Sequence, residues 1–259
     1  MAGLARAAAR LAAKNGIIFR YREEAAEILS ENAQVSALRL ASGERIAADA
    51  VILNADARAI AAGLFGGAAS KVVRAPRARS QSAVTFTLSA RASGFPLDRH
   101  NVFFSRDYRA EFDAVFERRE VPAEPTTYVW APGAAAGPQP LFCLVNAPAT
   151  GARFPEGEAA RIRGRMLDHL SGCGLTLDVA SGTEMTPAGF AQDYPGTDGA
   201  LYGAPAHGWR ATFERPGVRT KIRGLYLAGG SAHPGPGAPM AALSGLAAAT
   251  CLMNDFALT

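Results

Sequence analysis

The sequence is poor in the residues that build most metal and covalent sites. Its three cysteines, Cys143, Cys173 and Cys251, are odd in number and far apart, and its four histidines are scattered. No pair forms C-x-x-C, so neither a zinc site nor a disulfide framework is expected, which suits a reducing cytoplasm. No apolar run reaches the roughly 20 residues needed to cross a bilayer. The nearest, Ala238 to Met253, is too short and follows a Gly/Pro loop. G-x-x-x-x-G-K-[ST], G-x-S-x-G and H-E-x-x-H are all absent, which removes sequence support for a Walker-type phosphate loop, triad hydrolysis and zinc-dependent proteolysis. Dense Lys/Arg clusters interleaved with aromatics are missing too, so no nucleic-acid partner is expected. The formal charge of +4, from 27 basic and 23 acidic residues, is compatible with weak attraction to an anionic membrane surface.

What remains is enough for a packed protein. With 259 residues, 49% hydrophobic and 19% charged, the chain suits one large domain or two small ones. The first sixteen residues are Ala- and Arg-rich, with no acidic residue before Glu23. Arg6, Arg10 and Lys14 share one helical face and Leu4, Ala8 and Leu11 the other, which predicts an amphipathic surface helix closed at Asn15-Gly16. Strands are expected at IIFRY (17–21), AAEIL (25–29), VSALRL (35–40) and 50–53, with turns at Glu31-Asn32 and Ser42-Gly43. Asp56 is placed to cap a helix running to Leu64 and ended by Gly66-Gly67. The basic stretch from Ser70 to Arg79 loses apolar periodicity and marks an internal boundary.

Beyond it, SAVTFTLSA, NVFFS, TTYVWA and PLFCLVNAP read as strands. DYRAEFDAVFERRE and a segment from about Glu156 to Leu170 read as helices. This α+β module is rich in large apolar residues, which periodicity alone assigns equally to a core or to an apolar ligand. From Thr186 the chain is rich in Pro and Gly, so regular structure should be brief there. The stretch Gly224 to Asn254 carries no formal charge and should be buried on most sides. Within it, LYLAGGSAHPGPGAPMAALSG (225–245) reads as a short strand, a glycine-lined loop and a helix N-terminus, a place suited to an anion or a polarised carbonyl. Its Gly235-Pro236-Gly237 is not the dinucleotide fingerprint. Met240 takes the place of the third glycine, and no βαβ unit with a later acidic residue follows.

The segments GALYGAPAHGWRATFERPG, IRGLYLAGGSAHPGPGAPMAALSG, ERIAADAVILNADARAIAAGLFG and SAVTFTLSARASGFPLDRHNVFFS resemble carotenoid desaturases of the phytoene-desaturase family. They are most similar to the hydroxyneurosporene and methoxyneurosporene dehydrogenases. The resemblance covers essentially the whole chain. It implies an α/β and α+β fold, the C-terminal half of a two-domain FAD-binding Rossmann-like oxidoreductase with an inserted substrate domain. Residues 1–68 and 187–259 would be the two parts of the FAD-binding domain, and 69–186 the apolar substrate domain. The family's G-x-G-x-x-G lies in an N-terminal half that this sequence does not contain, so that half is an implied partner.

The same resemblance implies that Gly229, Gly230, Ser231, His233, Pro234, Gly235, Gly237, Pro239 and Met240 lie along the flavin's ribityl chain and ring edge. It places Ala25 at the adenine, with Asn54 and Ala55 bordering the nucleotide half. Ala25 is smaller than the aliphatic residue expected. The run Gly199–Gly203 is expected near the flavin. His233 is the one candidate proton acceptor, and a ring that merely fixes the loop is the alternative. The implied activity is FAD-dependent dehydrogenation of a hydroxylated or methoxylated carotenoid, with peripheral association to the inner or intracytoplasmic membrane from the cytoplasmic side. Another flavoprotein of the same broad fold, an amine oxidase or retinoid saturase, remains an alternative. So does a non-catalytic truncated product or apolar-ligand carrier.

Overall fold

A computed structural model describes residues 2–133, 137–205 and 215–257. The AHGWRATFE part of the motif quoted above (206–214) lies outside them. Helix α1 (Ala2–Lys14) forms as its periodicity predicts, and Asn15 closes it by donating from its side chain to Leu11 O at 2.9 Å. None of its residues is buried.

Residues 17–21 are not the expected strand. Ile18 and Tyr21 are 85% and 75% exposed, Arg22 has a positive φ, and the segment pairs with nothing in a ladder among the described residues. β propensity without a partner leaves backbone donors and acceptors to solvent, so IIFRY stays irregular. Arg20 instead ties it down through Glu23 and Glu44.

Strands β1 (Ala25–Glu31) and β2 (Gln34–Leu40) form a hairpin across Asn32 and Ala33, both at positive φ, and β3 (Arg45–Ala47) extends it. Strand β4 (Val51–Leu53) leads into helix α2 (Ala57–Ala61), capped by Asp56, which accepts from Arg58 N–H at 2.8 Å. The helix stops before Leu64, and the glycines do not end it. Gly66 and Gly67 open a separate short helix, α3 (Gly67–Ser70).

A five-stranded antiparallel sheet follows, with strands β5 (Ser82–Gly94) and β6 (His100–Phe103). Helix α4 (Tyr108–Phe112), which a π turn (Asp113–Arg118) prolongs, precedes strands β7 (Thr127–Trp130) and β8 (Gln139–Ala147). Helix α5 (Glu158–Gly172) then lays Ile162, Met166 and Leu170 on the sheet, all fully buried against a cluster that includes Val84, Phe86 and Leu88. The last strand, β9 (Leu175–Met185), is not evident from hydropathy. Only Leu175 of its residues is buried, and it is recruited by ten partners along β5. The strand order is β6-β7-β8-β5-β9.

Helix α6 (Pro187–Asp193), capped by Thr186 with Pro187 in its first turn, interrupts the Pro/Gly-rich stretch. Strand β10 (Leu225–Leu227) then returns to pair parallel with β4, residue for residue. Helix α7 (Ala238–Asp255) packs on β10 through Ala248, Cys251 and Leu252 against Tyr226 and Ala228, with Ser244 and Ala248 buried. Leu243 and Leu246 remain 50% and 64% exposed, so the uncharged C-terminal stretch is not enclosed on most sides. The chain is thus a mixed α/β and α+β protein. Its second core joins Ile28, Leu53, Ile60, Leu225 and Leu227.

Near the C-terminus Asp255 accepts from Tyr226 Oη at 2.9 Å and from Arg219 Nε and Nη2 at 3.0 and 2.8 Å. The Arg219 guanidinium, then the Tyr226 hydroxyl, hold the carboxyl below its ordinary value of 3.8. A depressed carboxylate contributes stability above its unfolded pKa and loses it as pH falls through the folded one. Asp255→Asn should therefore narrow its urea-midpoint deficit against the unsubstituted chain as pH drops below about 4. A deficit constant from pH 7 to pH 2 would contradict this.

Candidate functional site

The two parallel strands, β4 and β10, end side by side, and their continuations open onto one crevice. Crevices beyond the carboxyl ends of parallel strands are where open α/β sheets place ligands. Here the space is a cavity of about 710 Å³, within the ~300–1,000 Å³ of typical ligand sites. Asn54, Ala55 and Asp56 from β4, and Gly230 and Ser231 from β10, form one wall. Glu24 and Ala25 at the start of β1, with Leu64 and Phe65, form another. Phe190 and Tyr194 at α6 and the run Ala200–Gly203 close the third.

Short contacts lock the wall together. Ser231 Oγ donates to Asp56 Oδ2 at 2.6 Å, so the carboxylate that caps α2 also anchors the glycine loop. Gly203 sits at φ +67°, where a Cβ would fall 2.4 Å from Ser231 Oγ. Gly229 N–H donates to Ser244 Oγ at 2.7 Å, and that hydroxyl lies 2.7 Å from Ala241 O, tying the loop to α7. Arg215, 6% exposed, donates to the carbonyls of Tyr202 (3.0 Å), Gly230 (2.9 Å) and Ala204 (2.9 Å). Burial pushes its guanidinium below the ordinary arginine range, and the Asp56 carboxylate opposes that shift. Arg79 pairs with Asp198, and burial lowers it likewise.

Of the residues singled out in the sequence, Ala25, Asn54, Ala55, Gly230 and Ser231 line the cavity, as do Ala200 to Gly203. Gly229 lies just behind, against Asn54. His233, Pro234, Gly235, Gly237, Pro239 and Met240 are outside the lining. His233 N–H donates to Pro216 O at 2.9 Å, Gly235 abuts Arg215, and Gly237 caps α7, whose first turn holds Pro239 and Met240.

Sequence reading missed Arg215, Ser244 and the second bond of Asp56. With Arg210, Arg219, Lys221 and Arg223 close by in the sequence, nothing local marked Arg215 out. Among the described residues no Cys, His or Lys lines the cavity, and no three metal-ligating side chains converge. The wall can enclose, orient and hydrogen-bond a large ligand, but offers no thiol or imidazole for covalent or general-base chemistry.

Comparison with known proteins identifies the family. Residues 1–253 match the model of flavin containing amine oxidoreductases. The hydroxyneurosporene desaturase of Rubrivivax gelatinosus is 44% identical over 98% of this chain and 50% of its own length. The hydroxyneurosporene desaturase of Cereibacter sphaeroides is 40% identical over 98% of this chain and 53% of its own. A 1-hydroxycarotenoid 3,4-desaturase from Flavobacterium is 30% identical over 94% of this chain and 52% of its own. The chain spans about half the length of the curated relatives it matches. With the family model matched along nearly its whole length, the chain belongs to the flavin containing amine oxidoreductases.

Proposed function

We propose that the chain is the C-terminal part of an FAD-dependent carotenoid desaturase, and that it acts together with an N-terminal nucleotide-binding half. The observation that carries this reading is the cavity at the ends of β4 and β10. It gathers residues from both ends of the chain, Ala25 and Asn54-Ala55 with Gly230-Ser231, in a sequence 44% identical to a hydroxyneurosporene desaturase. Residues 1–68 and 187–259 form the cofactor side on this reading. Residues 69–186, which hold all five strands of the antiparallel sheet, form the substrate side.

The cavity's volume suits a large cofactor such as FAD, and Gly203 and Gly229 let its loops pack on Ser231 and Asn54 where a Cβ would collide. Gly230, Ser231 and Asn54 would border the flavin side, and Ala25 the adenine side. When bound, FAD supplies the hydride acceptor. Phe65, Phe190 and Leu201 give the same space apolar walls, and Asp56 with Ser231 holds the glycine loop in place. The substrate, a hydroxylated or methoxylated carotenoid, loses one hydrogen as hydride and the neighbouring one as a proton, which lengthens its conjugation.

Such a substrate resides in lipid, so the protein is read as peripherally membrane-associated, at the cytoplasmic side of the inner membrane. Among the described residues no helix is long and apolar enough to cross a membrane. The test is coexpression of this chain with the N-terminal half of the Rubrivivax relative in cells accumulating hydroxyneurosporene. A red-shifted carotenoid with one more conjugated double bond is expected. No new carotenoid, with flavin reduction by amines instead, would transfer the site to amine oxidation.

A further inference from the structure

Outside the cavity, the outer face of α4 and its π turn carries a row of aromatic rings. Phe104 and Tyr108 lie 5.9 Å apart between centroids, Tyr108 and Phe112 4.8 Å, and Phe112 and Phe116 5.8 Å. Phe104, Tyr108 and Phe112 are 63%, 51% and 37% exposed. The alignment follows from the backbone. Four residues along an α-helix overshoot one turn by about 40°, whereas the wider π turn undershoots it. The two drifts offset each other, so Tyr108, Phe112 and Phe116 stay in line instead of winding around the helix, and Phe104, just ahead of the helix, extends their row. The inner face is pinned by Glu111, 2% exposed, which accepts from Ser105 Oγ at 3.0 Å and Asn146 Nδ2 at 3.3 Å.

The C-terminal end of the row lies near the wall of the large cavity. Phe112 and Phe116 meet Gln81 and Asn146 in a small cleft, and Gln81 O accepts from Leu201 N–H at 3.1 Å, where Leu201 already lines the large cavity. The row is also narrow. Exposed Arg109, Asp113 and Glu117 flank it along one side, and charges of both signs so close make immersion in hydrocarbon costly. A long, thin, flat ligand fits this shape better than a protein face or a bilayer does.

We infer that the Phe104–Tyr108–Phe112–Phe116 row is the guiding track for the distal part of an extended conjugated polyene whose reacting end lies in the cavity. This rests on the carotenoid reading proposed above. Aromatic faces offset against a flat π chain gain dispersion and quadrupole contacts that a saturated chain does not match.

The test titrates the isolated chain with an acyclic C40 polyene in detergent micelles and reads induced circular dichroism in the visible band. Tyr108→Ser and Phe112→Ser should each weaken binding about 3- to 10-fold, Tyr108→Phe should restore it, and urea midpoints should hardly move because both rings are exposed. If Leu201→Trp abolishes binding while both serine variants bind normally, the track is overturned and the substrate reading stands. If the unsubstituted chain gives no induced signal, alone or coexpressed with the N-terminal half, the track is overturned, and the red-shift assay of the coexpressed halves decides the substrate reading separately. If the serine variants lose flotation with anionic vesicles but keep polyene affinity, the row is a membrane contact and the track is overturned.

Discussion

Arg215→Met should lower the unfolding free energy by about 3–5 kcal/mol in urea titrations, more than any single surface change. The side chain is nearly enclosed and satisfies three backbone carbonyls from two separate loops. Methionine fills a similar volume but leaves Tyr202, Gly230 and Ala204 without their donors. Buried acceptors that lose partners cost about 1–3 kcal/mol each, less where water enters. Lysine keeps the charge but not the fork, so Arg215→Lys should recover only part of the loss. A midpoint within error of the unsubstituted chain would show that the loops hold each other without the arginine.

Gly229→Ala should be nearly as damaging, by about 2–5 kcal/mol. Gly229 sits at φ +99°, and a Cβ there would stand 2.0 Å from Asn54 Oδ1. Part of the cost is the left-handed backbone, about 1–2 kcal/mol. The remainder is overpacking, about 1–3 kcal/mol. These parts separate in a double-mutant cycle. Asn54→Ala in the Gly229→Ala background should recover the overpacking share and leave the backbone share. Additive effects of the two substitutions would mean that the alanine is accommodated without touching Asn54.

Much of the architecture could be read from local pattern, because local patterns made it. Asp56 as a helix cap, the turns at Asn32 and Gly43, and the buried stripe Ile162, Met166, Leu170 each follow from a few adjacent residues. What escaped depended on distant partners. Residues 17–21 have strand composition and no ladder partner among the described residues, whereas β9 has polar composition and ten residues of β5 to pair with. The site divides the same way. Glycines announced the loop at 229–230, and Asn54-Ala55 was flagged by resemblance. The Arg215 clamp and the Ser231–Asp56 bond join residues far apart in sequence, and no window along the chain contains both ends.

The three-residue pairing of β4 with β10 also sets the order in which the molecule can assemble. It joins segments separated by more than half the chain, while hairpins and the long antiparallel sheet close over far shorter distances. Chain entropy rises with the length of the loop closed, so this junction gains little until the inserted sheet is compact. The ligand crevice exists only once the junction has formed. It is therefore the last region to be completed during folding, and the first to part when the protein is stressed.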